Sequence, residues 1–197
     1  MRTETRKYEV YKVDELSDNA KENAYWNWLK GFEYDASDNR ATLKAFEEIF
    51  KVKVSRWNYD AHTYNFQFTS HYSGEEEELC GVRWLKFIVN NYWHSLFKPK
   101  TYWHKKDFHK QRRSRISVTN DCVLTGYCAD MDILKPIYDF LKVPDKHTNL
   151  YDLMNDCIDS FFRFCRDDVE YTSNEEAFER DCEANGYEFL SNGDFFN

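Results

Sequence analysis

The stretch VKVSRWNYDAHTYNFQFTS, residues 52–70, decides the fold class. Its second half alternates Tyr64, Phe66 and Phe68 with Asn65, Gln67 and Thr69. Successive strand residues point to opposite faces, so this spacing predicts a sheet with one buried face and one wet face. Asp60 to Thr63 carry turn chemistry between two apolar runs, which makes the stretch a pair of antiparallel strands.

Outward from this pair the period changes from two to three and four. Upstream, YEVYKV at 8–13 reads as one more strand, and Ser17 caps a helix with Ala20, Ala24, Trp28 and Phe32 on one face. Ser37 caps a second helix along Leu43, Phe46, Ile49 and Phe50. Downstream, Glu75 to Glu78 suit the positive end of a helix dipole, and Leu79, Val82, Leu85, Val89, Trp93 and Leu96 follow at helical spacing. This is expected to be the longest, central helix, stopped at Pro99. RISVT at 115–119 reads as a strand, DILKPIYDFL at 132–141 as a short helix interrupted by Pro136, and residues 149–167 as an amphipathic helix. Ser173 and Glu176 form a capping box for a last helix closed by Asn185 and Gly186, and residues 187–196 read as a small hairpin. The expected architecture is α+β: a small antiparallel sheet packed against several amphipathic helices, in a single domain over 1–197.

Composition agrees with a folded core. The 6 Trp, 14 Tyr and 16 Phe supply large apolar surfaces despite a mean hydropathy of -0.83. Three prolines and six glycines leave no flexible linker, and no internal repeat is visible. No apolar run reaches the roughly 18 residues of a membrane span, and MRTETRKYEVYK lacks the apolar segment of a signal peptide, so a cytoplasmic location is expected. The six cysteines, Cys80, Cys122, Cys128, Cys157, Cys165 and Cys182, are scattered through apolar patterns and read as reduced, buried thiols.

Motifs for chemistry are missing. His94, His104 and His109, or Cys122 and Cys128, lack the spacing of a metal site, so no metal and no cofactor are expected. No nucleophile elbow, Walker loop or dinucleotide fingerprint occurs, and pairs such as Asp167 and Asp168 or Asp130 and Asp132 are expected in a chain with 35 acids. In TGYCAD, Gly126 permits a tight turn and Tyr127 reads as a buried anchor, with a binding loop as the alternative. No catalytic residue is assigned, and an enzyme would need a site that folding assembles.

Charge is the informative feature. Within a chain of formal charge -8, the basic segment 98–115 holds eight Lys and Arg against one Asp, while the acidic C-terminal part 145–197 holds fourteen acids against four bases. Lys98, Lys100, Lys105, Lys106, Lys110, Arg112, Arg113 and Arg115 interleave with Tyr102, Trp103 and Phe108. Cations neutralise phosphates and aromatic rings stack on bases, so RNA or DNA contact through 98–115 is the functional reading. The alternative, that these cations lie on the protein's own acidic tail, stays open from sequence alone. Tail acids such as Asp167, Asp168, Glu175 and Glu176 are candidates for contact with a basic protein channel, against the alternative of ordinary solubility.

Four fragments, YEVYKVDELSDNAKENA at 8–24, SRWNYDAHTYNFQF at 55–68, DCVLTGYCADMDILKPI at 121–137 and SNEEAFERDCEANGYEFLSNGDFF at 173–196, together resemble a family of uncharacterised phage and prophage accessory proteins. That resemblance implies an anti-defence role such as an anti-CRISPR. The expectation is a non-enzymatic inhibitor that binds a host defence nucleoprotein, with a CRISPR effector nuclease as the leading target, and blocks its access to nucleic acid. A single-stranded nucleic-acid-binding accessory protein of a phage and an enzyme with an unrecognised site are the alternatives.

Overall fold

The computed structural model describes every residue except 3, 5, 105, 106 and 197, with 104 and 107–109 described by backbone alone. The described chain forms α1 (Asp18–Gly31), α2 (Ser37–Phe50), β1 (Val52–Tyr59), β2 (Tyr64–Ser70), α3 (Gly81–Leu96), β3 (Lys98–His104), β4 (Asp107–Thr119), α4 (Ala129–Lys142), α5 (Leu150–Ser173) and α6 (Glu175–Asn185). The α+β class holds. The strands form two separate two-stranded antiparallel sheets, β1–β2 and β3–β4. The chain packs as two compact units, Met1–Tyr34 with Asp167–Asn197, and Asp35–Arg166.

The unit Asp35–Arg166 holds the larger core. On α5, Leu150, Leu153, Met154, Cys157, Ile158, Phe161, Phe162 and Cys165 recur at spacings of three and four, and all are buried. The β1–β2 ribbon covers this stripe: Phe162 meets Trp57 at 5.7 Å, Tyr64 at 6.4 Å and Phe66 at 5.4 Å between ring centroids. Between Ser55↔Gln67 and Asn58↔Asn65, β1 advances one residue more than β2. This bulge, with Arg56 at φ 48, moves the inward face from the even positions Val52 and Val54 to the odd positions Trp57 and Tyr59.

Several local expectations are corrected. The four glutamates do not open α3: Gly74–Glu76 is a 3-10 turn, and α3 begins at Gly81 after an extended Cys80. Cys80 bridges to Asn149, the Gly81 N–H donates to the Thr148 carbonyl at 3.2 Å, and Gly81 has φ +55, so pairing to residues 146–149 breaks the helix at its start. A Cβ on Gly81 would lie 3.2 Å from the Lys146 backbone. The longest helix is therefore α5, with 24 residues, rather than α3, with 16.

Pro136 does not interrupt its helix, which runs unbroken from Ala129 to Lys142. An internal proline costs about 3 kcal/mol. Burial of Ile133, Leu134, Ile137, Tyr138 and Phe140 offsets that cost, at about 1.5–3 kcal/mol for each large apolar side chain. Tyr127 is not a buried anchor; it is 42% exposed. The buried member of TGYCAD is Asp130, at 0% exposure. Its carboxylate accepts from the Thr125 and Gly126 N–H groups at 2.7 and 3.0 Å, and from the Thr125 and Thr42 hydroxyls at 2.7 and 3.0 Å. The side chain thus ties the turn before α4 to α2. Asp130→Asn puts an NH2 group against these donors and is expected to cost about 2 kcal/mol in urea unfolding; unchanged stability would remove Asp130 from this structural role.

In the unit Met1–Tyr34 with Asp167–Asn197, Ala24, Phe178, Cys182, Val13 and Phe189 form a second, smaller cluster. The expected strand at 8–13 is reduced to one antiparallel bridge, Tyr11↔Phe189, followed by a 3-10 turn at Val13–Glu15. The cap of α6 is Asn174, whose side chain accepts from the Ala177 N–H at 2.8 Å; Ser173 instead ends α5. Gly186 closes α6 at φ 66 as its composition predicts, and the terminal hairpin is present as the bridge Phe189↔Phe195. All six cysteines are free; Cys157, Cys165 and Cys182 are buried, whereas Cys128 is exposed. Burial pushes the Cys157 thiol well above its ordinary range and the Cys182 thiol up to about 12.

Candidate nucleic-acid interface

The basic segment folds as β3 and β4. Thr101, Tyr102 and Trp103 pair with Arg113, Arg112 and Gln111, and the base of the ribbon pairs Lys98 with Thr119 and Pro99 with Val118. Between Pro99 and Thr101 the register jumps, leaving residues 114–117 as a bulge on β4. The Ser114 hydroxyl oxygen holds that bulge by accepting from the Ile116 and Ser117 N–H groups at 3.2 and 2.8 Å.

A two-stranded ribbon normally buries one face to persist in water. Here no described residue of 98–119 is buried, and only Ser114 and Thr119 are even half-buried. Trp103 is 60% exposed, Tyr102 46% and Ile116 94%. Directly paired residues share a face, so Tyr102 and Arg112 occupy one side, while Trp103, Gln111, Thr101 and Arg113 occupy the other. Lys100 joins the first side, its ammonium 5.8 Å from the Tyr102 ring. Each face therefore sets an aromatic ring among cations, and neither is spent on the core.

Of the residues expected here, Lys98, Lys100, Tyr102, Trp103, Lys110, Arg112, Arg113 and Arg115 all lie on this ribbon and are exposed. Lys105 and Lys106 lie outside the described residues, as does the side chain of Phe108. Lys98, Lys100, Arg112, Arg113 and Arg115 make no ion pair with another described residue. Ile116 and Val118 were not anticipated as surface residues. Their signal was present, since Thr101 to Trp103 and Gln111 to Val118 have no consistently apolar alternate positions and so no face to bury.

The acidic candidates sit in the smaller unit. Asp168 on α5 accepts a short hydrogen bond from the Tyr34 hydroxyl, and Asp167 precedes it on the same helix. Glu175 and Glu176 are exposed in the first turn of α6, where the helix dipole favours them, and Glu176 lies 3.9 Å from Arg180. This unit contains seventeen acids and seven bases, net -10, whereas Asp35–Arg166 contains eighteen acids and twenty bases, net +2. The uneven charge noticed in the sequence thus follows the division into units.

The chain matches no protein-family model, no curated protein and no solved structure. Its function has to be argued from this surface. Among the described residues no group of three or more His, Cys, Asp and Glu could hold a metal ion, and no helix is long and apolar enough to cross a membrane. His94 is exposed on α3, and the side chains of His104 and His109 lie outside the description.

Proposed function

We propose that this is a non-enzymatic binding protein that lays its β3–β4 arm onto nucleic acid within a larger nucleoprotein. One observation carries the reading: a strand pair with both faces exposed among the described residues, each carrying an aromatic side chain on the same face as arginine, Tyr102 with Arg112 and Trp103 with Arg113. Phosphate neutralisation supplies affinity and ring stacking adds about 1–3 kcal/mol per base. A two-stranded ribbon also has the width of a duplex major groove. The resemblance to phage accessory proteins supports the fuller form of the proposal: an inhibitor in the bacterial cytoplasm that blocks nucleic-acid access to a host defence complex, with a CRISPR effector nuclease as the leading target. The exposure of Tyr102 and Trp103 favours, as second reading, a phage protein that binds single strands directly.

The two readings separate in one experiment. Full-length protein is titrated with fluorescent single-stranded and duplex oligonucleotides between about 50 and 200 mM salt, with and without a guide-loaded effector nuclease. The inhibitor reading expects weak binding to free oligonucleotides and loss of target-DNA binding by the nuclease. Tight, steeply salt-dependent binding of free single strands selects the second reading. No effect in either arm removes both.

A further inference from the structure

The aromatic residues that the hairpin does not use include four gathered around a cavity in the unit Met1–Tyr34 with Asp167–Asn197. The last turn of α1, α6 and the terminal segment border an open cleft of about 390 Å³, lined by Trp28, Phe32, Glu33, Asp181, Tyr187 and Phe195 among others. The rings are arranged as walls. Trp28 and Phe32 are tilted by 41° with centroids 5.3 Å apart, and Tyr187 meets Phe195 edge-on at 5.5 Å.

Two features fix this cavity in place. The Trp28 indole N–H donates to Asp181 Oδ2 at 2.8 Å, and the Trp28 ring packs on buried Phe178 at 5.6 Å, so the indole cannot swing away. Asp181 Oδ1 accepts from the Asn185 amide at 2.8 Å. Both oxygens of Asp181 thus meet neutral donors, and its negative charge is matched by no ion pair among the described residues. The same is true of Glu33, which is exposed at the rim. Aromatic walls with two uncompensated carboxylates, in a unit of net charge -10, form a receptor for an organic cation.

We infer that this cavity receives an arginine side chain from a basic protein partner. A planar guanidinium can stack on an indole or phenyl face while its edge donates in fork geometry to a carboxylate, so it uses both elements of the cavity at once. An ammonium is a compact, strongly hydrated charge and uses the planar walls less well. A phosphate or nucleic acid is disfavoured by the same two carboxylates. The inference is independent of the hairpin, and it places contact with a partner protein at Trp28, Glu33 and Asp181 rather than at the acids singled out from the sequence.

The test uses the full chain, labelled with nitrogen-15, and blocked Gly-Arg-Gly, Gly-Lys-Gly and Gly-citrulline-Gly peptides. The Trp28 indole resonance is identified by its loss in Trp28→Phe. The arginine peptide is expected to shift that resonance saturably, with the lysine peptide weaker and the uncharged citrulline peptide at least about tenfold weaker. Glu33→Gln, an exposed change that leaves the other resonances in place, is expected to weaken arginine binding by about threefold. Arg112→Glu on the hairpin should leave it unchanged, so failure here is distinguishable from failure of the nucleic-acid reading. Equal binding of arginine and citrulline peptides, stronger binding of lysine, or no saturable shift overturns the proposal.

Discussion

Gly193→Ala is expected to be the most destabilising single-methyl change in the smaller unit. Gly193 has φ +87, a conformation that costs a residue with a Cβ about 1–2 kcal/mol. Its added Cβ would also fall 2.0 Å from the Ala20 carbonyl oxygen, 2.9 Å from the Ala20 carbonyl carbon and 3.1 Å from the Ala24 nitrogen. These are backbone atoms of α1 and no rotamer change relieves the overlap. Overpacking adds about 1–3 kcal/mol, so the total loss is expected to be at least about 3 kcal/mol. The terminal segment would leave α1, taking with it the Asn27–Asp194 contact at 3.4 Å. Gly186→Ala is the control: it has φ +66 with nothing within 4 Å of the added methyl, so only the backbone strain of about 1–2 kcal/mol applies. Denaturant unfolding and amide exchange measure both. A Gly193→Ala protein within 1 kcal/mol of the parent in these measurements would show that the close approach to α1 is not maintained.

Replacing Arg112, Arg113 and Arg115 together by Glu is expected to abolish nucleic-acid contact while leaving stability nearly unchanged. The three side chains are exposed, pair with no described acid, and lie on a ribbon that supports no core. Each lost phosphate contact lowers the slope of log affinity against log salt by about 0.9, so three remove close to 3 from the slope before repulsion is counted. Affinity at low salt is expected to fall by about a hundredfold or more. Trp103→Ala should instead lower affinity with little change in slope, because stacking releases no counterions. A triple variant that binds every candidate nucleic acid and nucleoprotein like the parent excludes the arm from function. A triple variant that unfolds would mean the arm is structural, contrary to its exposure.

The fold was legible wherever one face of an element had to be buried. The stripe on α5 and the alternation of Tyr64, Phe66 and Phe68 are consequences of period, and both stand. The slip of inward face between Val54 and Trp57 was also written in the spacing of VKVSRWNY, where the apolar positions change from even to odd. The start of α3 was not legible. Four glutamates before an apolar stripe look like a helix first turn, and only pairing of Cys80 and Gly81 with residues 148 and 149 shows why it is not one. That pairing joins positions about seventy residues apart, and local propensity contains no term for it.

The sequence by itself determined the helical stripes, the alternation at 64–69, the concentration of positive charge in 98–115 and the acidity of the tail, because period and charge are properties of the residues in order. Only the tertiary structure decided that the basic segment pairs as a two-stranded ribbon, and that Trp28, Phe32, Tyr187 and Phe195 border one cleft with Glu33 and Asp181. Which segments pair with each other, and which distant side chains share a wall, depends on long-range packing. A strand with no apolar face tells that it will remain uncovered, but the partners of an aromatic ring are chosen by the fold.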